Sequence, residues 1–280
     1  MQESSGGCYG GSGVRHMKVT EVGDLISGMR RIVDSRRRKR GRPPVQSRTH
    51  IVTGLLMRMR SRLVRLMFRA LFRVKTERSD LLYLGSTYGG WWVPAELLGR
   101  DAICYTGGVG TDISFDLGLI EQFGCRVFGI DPTPRSIKWV REQLTDDRFT
   151  LVEVGLAGET GELHFYEPRD PSHASFSVKN LQCTSSYVSA HVQTVRDLMR
   201  ELGHERIDLI KLDIEGAEHD TIRRMLADQI RPAVVCVEFD QPEPICWSLL
   251  TVGRLRRSGY VLVKVDRFNL TFVLMSCPEV

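Results

Sequence analysis

The sequence predicts the α/β class: a doubly wound, mostly parallel seven-stranded sheet with an antiparallel C-terminal strand pair, preceded by a basic amphipathic helix. Three observations predict it. From about Ser79 onward, short apolar runs alternate with amphipathic stretches of helical length, the rhythm of strand–helix–strand units. A glycine turn, Gly107-Gly108-Val109-Gly110, stands between one apolar run and the helical pattern after it. Near the end of the chain two apolar runs are joined only by residues 266–269, too short for a crossover helix, so those strands must pair antiparallel.

In chain order, residues 1–50 read as a disordered basic tail. The first 16 residues are rich in Gly and Ser, and the run from Arg36 to Arg40 leads into the pair Pro43-Pro44. Residues 51–78 read as an amphipathic basic helix and linker. Arg58, Arg62, Arg65, Arg69 and Arg73 recur at helical spacing and share one face; Leu56, Met59, Leu63, Leu66, Met67, Ala70 and Leu71 fill much of the rest. Such a helix packs its apolar side on an acidic domain, or meets an anionic membrane surface or acidic partner through residues 36–75. Lys and Arg total 39 against 34 Asp and Glu, and 14 of the basic residues fall between Ser35 and Thr76, where no acid occurs. The remainder is net acidic, so the basic character belongs to this segment alone. A single Arg-Gly-Arg-Pro core within it does not make nucleic acid an expected partner.

Residues 79–280 read as the main domain. Strands are expected at 101–106, 126–130, 149–154, 162–166, 192–195, 207–214, 233–239, 260–265 and 270–275. Helices are expected at 113–123, 136–144, 195–202, 218–227 and 246–258. A loop rich in Ser, Pro and His, residues 167–186, is placed to act as a lid. No uncharged apolar run approaches the roughly 18 residues of a membrane span, and the N-terminus lacks the apolar core of a secretion signal. Seven cysteines without CxxC spacing predict buried free thiols in a reducing compartment. Together these predict a cytoplasmic protein, peripheral at a membrane if the basic helix binds one.

A glycine turn between strand and helix lets backbone amides approach a ligand closely. Asp131 follows Gly110 by 21 residues and ends the strand Arg126–Ile130, where a carboxylate can accept ribose hydroxyls. The geometry serves both NAD and S-adenosylmethionine. Ile113 stands where a dinucleotide fingerprint wants its third glycine, and the antiparallel strand pair suits a methyltransferase sheet. The turn therefore favours S-adenosylmethionine, with an NAD-dependent oxidoreductase as the alternative. Gly107, Gly108 and Gly110 would pass beneath the methionine part, and Asp112 would cap the helix or contact the cofactor amine.

A second constellation, IDLIKLDIEGAEHDTI at 207–222, carries Asp213 and Glu215 to a strand's C-terminal end. Alternation puts Lys211 on the same face, where a buried ammonium needs a carboxylate partner. Glu218 fits helix-dipole stabilisation. The strand VVCVEFD brings Glu238 and Asp240 to the same edge. Asp213, Glu215 and Glu238 are the candidates for orienting an acceptor hydroxyl or taking its proton. His219 is a weaker candidate, expected at the surface. No metal site is expected.

These segments resemble the FkbM-type S-adenosylmethionine-dependent methyltransferases. The resemblance rests on YGGWWVP (88–94), GGVGTDISFD (107–116), GIDPTP (129–134), IDLIKLDIEGAE (207–218), VEFD (237–240) and SGY…FNLTFVL (258–274), with KLDIEGAE the most specific. It covers residues 88–275. It implies a Rossmann-like methyltransferase acting on hydroxyl oxygens of small molecules or carbohydrates. The carboxylate usual before the glycine turn is replaced by Tyr105 and Thr106, and Asp112 is the candidate substitute. A binding protein that kept the fold without catalysis is the other alternative.

Overall fold

A computed structural model of the chain describes residues 66–74, 76–143, 146–167, 176–179, 184–239 and 244–275. They lie in one compact unit, Arg65–Val280. The expected tail, residues 51–65 of the expected helix, Asp240 and most of the 167–186 loop fall outside the described residues.

The main sheet has seven strands: β3 (Ile103–Gly107), β4 (Arg126–Ile130), β5 (Phe149–Val152), β9 (Leu209–Leu212), β10 (Val234–Glu238), β11 (Tyr260–Asp266) and β12 (Asn269–Leu274). Their order is β11-β12-β10-β9-β3-β4-β5. The pairs β3/β4, β4/β5, β3/β9 and β9/β10 are parallel, while β12 runs antiparallel to both neighbours. This is the expected doubly wound sheet with its antiparallel end pair. The chain leaves β3 toward β5, then returns to start β9 on the other side. The switch in direction opens a crevice between β3 and β9, where open α/β sheets take ligands.

Among the described residues, the helices α1 (Ser114–Phe123), α2 (Pro134–Gln143), α3 (Val195–Glu201), α4 (Glu218–Ala227) and α5 (Ile245–Arg257) flank the sheet. Local chemistry sets their ends. Thr194 caps α3 by accepting from the Asp197 amide, and Gly124 closes α1 in the left-handed region at φ 70°. Strand alternation divides the core between two faces. Tyr105, Ile210, Leu212, Val235 and Val237 pack on one side with residues of α3, α4 and α5. Cys104, Leu209, Val234 and Cys236 pack on the other with Trp91 and the buried face of α1. Thr106, Lys211 and Glu238 share the alternation parity of this second face, so polar side chains meet between the sheet and α1.

Two features depart from expectation. The short strand expected at 192–195 is instead β8 (Tyr187–Gln193), which joins β6 (Gly155–Leu156) and β7 (Gly161–Tyr166) in a separate three-stranded sheet. Ser189 and His191 lie on its exposed alternation, which diluted the apolar signal. A hairpin of β1 (Leu81–Leu84) and β2 (Trp91–Pro94) precedes β3. Of the described cysteines, Cys104, Cys125 and Cys236 are buried free thiols as expected, but Cys246 is exposed.

The start of the described chain corrects the amphipathic stripe. Residues 66–71 are helical, yet Leu66, Met67 and Leu71, assigned to the apolar side, are 66%, 51% and 46% exposed. Phe68 and Phe72 are buried instead, and the Phe68 ring meets Phe268 edge-on at 5.3 Å and Phe239 at 6.4 Å. The larger rings, four residues apart, set the inward face. Phe68→Ala should therefore cost about 3–5 kcal/mol of stability, while Leu71→Ala should stay within about 0.5 kcal/mol. Urea denaturation of the two variants measures the difference.

Candidate active site

The glycine turn leaves β3 under tight steric control. Gly108 adopts φ 76°, and its amide donates to the Ile130 carbonyl at 2.9 Å. A Cβ on Gly108 would stand 1.7 Å from the Asp213 carbonyl oxygen, so only glycine lets the turn pass against that backbone. Gly110 is also left-handed, at φ 60°, but open space lies where its Cβ would be. Its amide donates to Asp131 Oδ2 at 2.9 Å. Asp131 Oδ1 accepts from the Thr133 amide at 2.9 Å and the Thr133 hydroxyl at 2.6 Å. The carboxylate ending β4 thus ties the turn to the entry of α2.

Asp112 accepts from the Ser114 amide at 2.9 Å and from Ser86 Oγ at 2.5 Å. It serves the start of α1 and also pins the loop between β1 and β2. Burial would raise its pKa, but the hydrogen bonds from Ser114 and Ser86, together with the charge of Lys211, hold it below the ordinary value. Asp116, in the first turn of α1, is buried and accepts from Thr106 Oγ1 at 2.5 Å. Burial pushes its carboxyl up to about 6. Thr106 stands where the family's carboxylate is usual, and its hydroxyl contacts one supplied by the next helix.

Lys211, buried on β9, joins these parts. Its Nζ donates to the carbonyls of Gly108 at 2.7 Å and Gly107 at 3.4 Å, and pairs with Asp213 Oδ2 at 3.2 Å. Burial alone would lower its pKa; the negative charge of Asp213 and Asp116 and the hydrogen bond to Asp213 outweigh burial and raise it. Glu238, at the end of β10, is pushed up to about 9 by burial, by the charge and hydrogen bond of Asp213, and by Glu215. It holds its proton and donates it in a hydrogen bond to Asp213.

The chain beyond β9 turns sharply. Glu215 sits at φ 52°, an uncommon conformation for a non-glycine residue, and Gly216 at φ 106°. The buried Glu218 carboxyl accepts from the amides of Ile214 at 2.8 Å and Gly216 at 3.0 Å. Burial pushes it up to about 8. Glu218 is therefore the clamp of this turn as well as a first-turn acid. His219 is buried, not at the surface: Nδ1 lies 2.8 Å from Thr251 Oγ1 and the ring stacks on Phe239. Of the expected lid, residues 176–179 are described, and they lie against the turn. Ser177 Oγ and the Val178 amide both donate to the Glu215 carbonyl, at 2.9 and 3.2 Å.

A cavity of about 360 Å³ occupies the crevice. Gly108, Gly110, Asp112, Asp131, Asp213, Glu215 and Glu238 all line it. Gly107 does not; it lies behind, as the last residue of β3. Sequence reasoning missed Tyr88, Asp116, Phe165, Phe176 and Arg267, which also line the cavity. Asp116 had a signal, its place ten residues after Thr106, but a first-turn acid reads equally as dipole stabilisation.

Gly108→Ala should collapse the turn and with it ligand binding, whereas Gly110→Ala, with no protein atom near its Cβ, should keep the turn and lose about 1 kcal/mol of stability to the backbone conformation. Ligand titration and thermal melts distinguish the two. Glu238 gives a pH dependence. The folded chain keeps its proton up to about 9, whereas the ordinary value is 4.5. Between those values the folded state binds more protons than the unfolded one, so stability falls as pH rises. Glu238→Gln should flatten that slope, as measured by denaturation at a series of pH values.

The methyltransferase FkbM domain family matches residues 111–261. The 2-O-methyltransferase NoeI of Sinorhizobium fredii is 28% identical over 116 residues, 35% of this chain and 46% of that protein, so the chain matches about half the length of this curated relative. Solved structures align at 12% identity. Aeropyrum pernix fibrillarin, bound to S-adenosyl-L-methionine, has a TM-score of 0.39 with 73% of this chain and 84% of its own covered. The precorrin-6y C5,15-methyltransferase of Geobacter metallireducens has a TM-score of 0.40, with 65% and 85% covered. The family match spans more than half of the chain and contains Asp131, Asp213, Glu215 and Glu238: this chain belongs to the methyltransferase FkbM domain family.

Proposed function

We propose that the chain transfers a methyl group from S-adenosylmethionine to a hydroxyl oxygen of a small molecule or carbohydrate. The observation that carries the reading is the set of carboxylates around the glycine turn. Asp112, Asp116 and Asp131 line the cavity beside it. A pyrophosphate would need free amides at the start of α1, but the Ser114 amide is held by Asp112 and the Gly110 amide by Asp131. Three acids there would also repel it. The same donor set fits a sulfonium, an ammonium and ribose hydroxyls. The cavity volume is of the size that holds a small cofactor.

When bound, the cofactor supplies an electrophilic methyl group. This chain's residues hold and orient what surrounds it. Gly108 and Gly110 form the floor beneath the methionine part, with Gly107 behind them at the end of β3. Asp131 accepts the ribose hydroxyls with its remaining lone pairs. Asp116 takes the ammonium end, the role the resemblance left to Asp112, which is committed to Ser86 and Ser114. Asp213 receives the acceptor's proton, with Lys211 beside it to offset the charge. Glu215 and Glu238 orient the hydroxyl from either side. Similarity to a 2-O-methyltransferase supports oxygen as the acceptor atom.

Calorimetric titration tests the reading: S-adenosylmethionine should bind and NAD should not. Asp131→Ala should abolish that binding. Asp213→Asn should keep it and slow turnover by about a hundredfold or more. Binding of NAD in place of S-adenosylmethionine would sink the proposal, and full turnover by Asp213→Asn would remove that residue from the acceptor side.

A further inference from the structure

We infer that the acceptor carries an anionic group as well as its hydroxyl, with Arg267 holding that group at the cavity mouth and Tyr88 lying against the acceptor's body. The inference rests on the methyl-transfer reading and deepens it by naming a substrate class.

Arg267 sits in the two-residue turn that joins β11 to β12, between the paired residues Asp266 and Asn269. Such turns demand positive φ and favour glycine or asparagine. Arg267 adopts φ 56° instead. The turn is anchored on both sides. Trp92 Nε1 donates to Asp266 Oδ2 at 3.2 Å, the Phe239 amide donates to the Phe268 carbonyl at 3.2 Å, and the Phe268 ring packs on Phe68. An arginine is thus kept in a costly conformation by rigid surroundings, as backbone strain is kept at functional sites. Arg267 is exposed and lines the cavity, and among the described residues it has no carboxylate partner.

That lack of a partner stands out in a cavity lined by Asp112, Asp116, Asp131, Asp213, Glu215 and Glu238. The other lysine or arginine among the described lining residues, Lys211, is buried and occupied by the glycine-turn carbonyls and Asp213. An anion cannot go deep among these acids; it can stay only where the free guanidinium is. A planar guanidinium binds carboxylate or phosphate through two parallel hydrogen bonds. The anionic group therefore sits at the outer end of the acceptor and the reacting hydroxyl at the inner end.

Tyr88 supplies the second contact. It is 83% exposed, yet it lines the cavity. Its loop is fixed: the amides of Tyr88 and Gly89 donate to Ser86 Oγ at 3.1 and 2.9 Å, and Ser86 is bound to Asp112. The fields of Asp213, Glu215 and Glu238 reach its phenol. A tyrosine ring on an anchored loop, with only two side-chain torsions to fix, gives contact area at low entropic cost.

The test uses the full chain loaded with S-adenosylhomocysteine, titrated with glucuronate, glucose 6-phosphate and glucose. One or both acidic probes should bind about tenfold or more tightly than glucose. Preference for glucuronate alone identifies a carboxylate, and preference for the phosphate a phosphoryl group. Arg267→Gly should erase the preference while the melting temperature holds or rises, since glycine relieves the turn. Tyr88→Ala should weaken all bound probes alike. Equal binding of acidic and neutral probes, no binding by any, or a preference retained by Arg267→Gly would each overturn the inference. Failure of S-adenosylhomocysteine to bind counts against the methyl-transfer reading alone, and the preference is then read on the chain without it.

Discussion

The ammonium of Lys211 is the contact on which the candidate site depends. It joins three pieces of chain that otherwise approach only as backbone: the end of β3, the turn after it, and the segment leaving β9. Two carbonyls and one carboxylate hold it, and Asp116 adds charge nearby. A buried ammonium is costly unless paired and hydrogen-bonded. Here it is both. Removing it would leave Asp213 beside Glu238 and Glu215 without compensation. The register makes this placement unavoidable, since Lys211 is directly paired with Thr106 on one neighbouring strand and Cys236 on the other.

The acids around that cation are not equivalent, and environment sorts them. Asp131 and Asp112 are occupied with backbone amides and hydroxyls, so they shape the turn. Glu218 clamps the segment that presents Glu215. Glu238 is driven to hold a proton, which lets it stand next to Asp213 as a hydrogen-bond donor. Paired carboxylates whose environments push them apart in proton affinity can divide acid and base roles. The proposed base, Asp213, differs from Glu238 in having Lys211 within ion-pair distance.

Much of this was legible in the sequence, for identifiable reasons. The sheet, its helices and the antiparallel end pair follow from periodicity, loop length and the glycine turn. The strand Arg126–Ile130 and helix Glu218–Ala227 agree to the residue. Asp131, Asp213, Glu215 and Glu238 were legible because strand ends on one edge of a parallel sheet converge. What sequence could not give was contact between distant segments. Thr106 meeting Asp116, Ser86 meeting Asp112, and Ser177 meeting Glu215 depend on loop paths that no local pattern encodes. His219 was misjudged because a polar residue early in a helix normally faces water; here Thr251 and Phe239 supply partners from elements further along the chain. Phe68 and Phe72 were overlooked beside a conspicuous arginine spacing.

Strain and anchoring together define the way into the cavity. On one side, Glu215 is held at positive φ, with Glu218 gripping the neighbouring amides and Ser177 and Val178 bonded to its carbonyl. On the other, the Arg267 turn is held at positive φ by Trp92, Phe239 and Phe68. Between them, the loop bearing Tyr88 is fastened through Ser86 to Asp112. Three loops from separate parts of the chain are thus each tied to buried or half-buried partners. A mouth built this way presents its backbone in set positions, so a proposed acceptor would meet an arrangement prepared before it binds. Preorganisation of this kind spares the entropy of ordering loops at the moment of encounter. On the proposed reading, acceptor choice then depends on the few side chains that remain uncommitted.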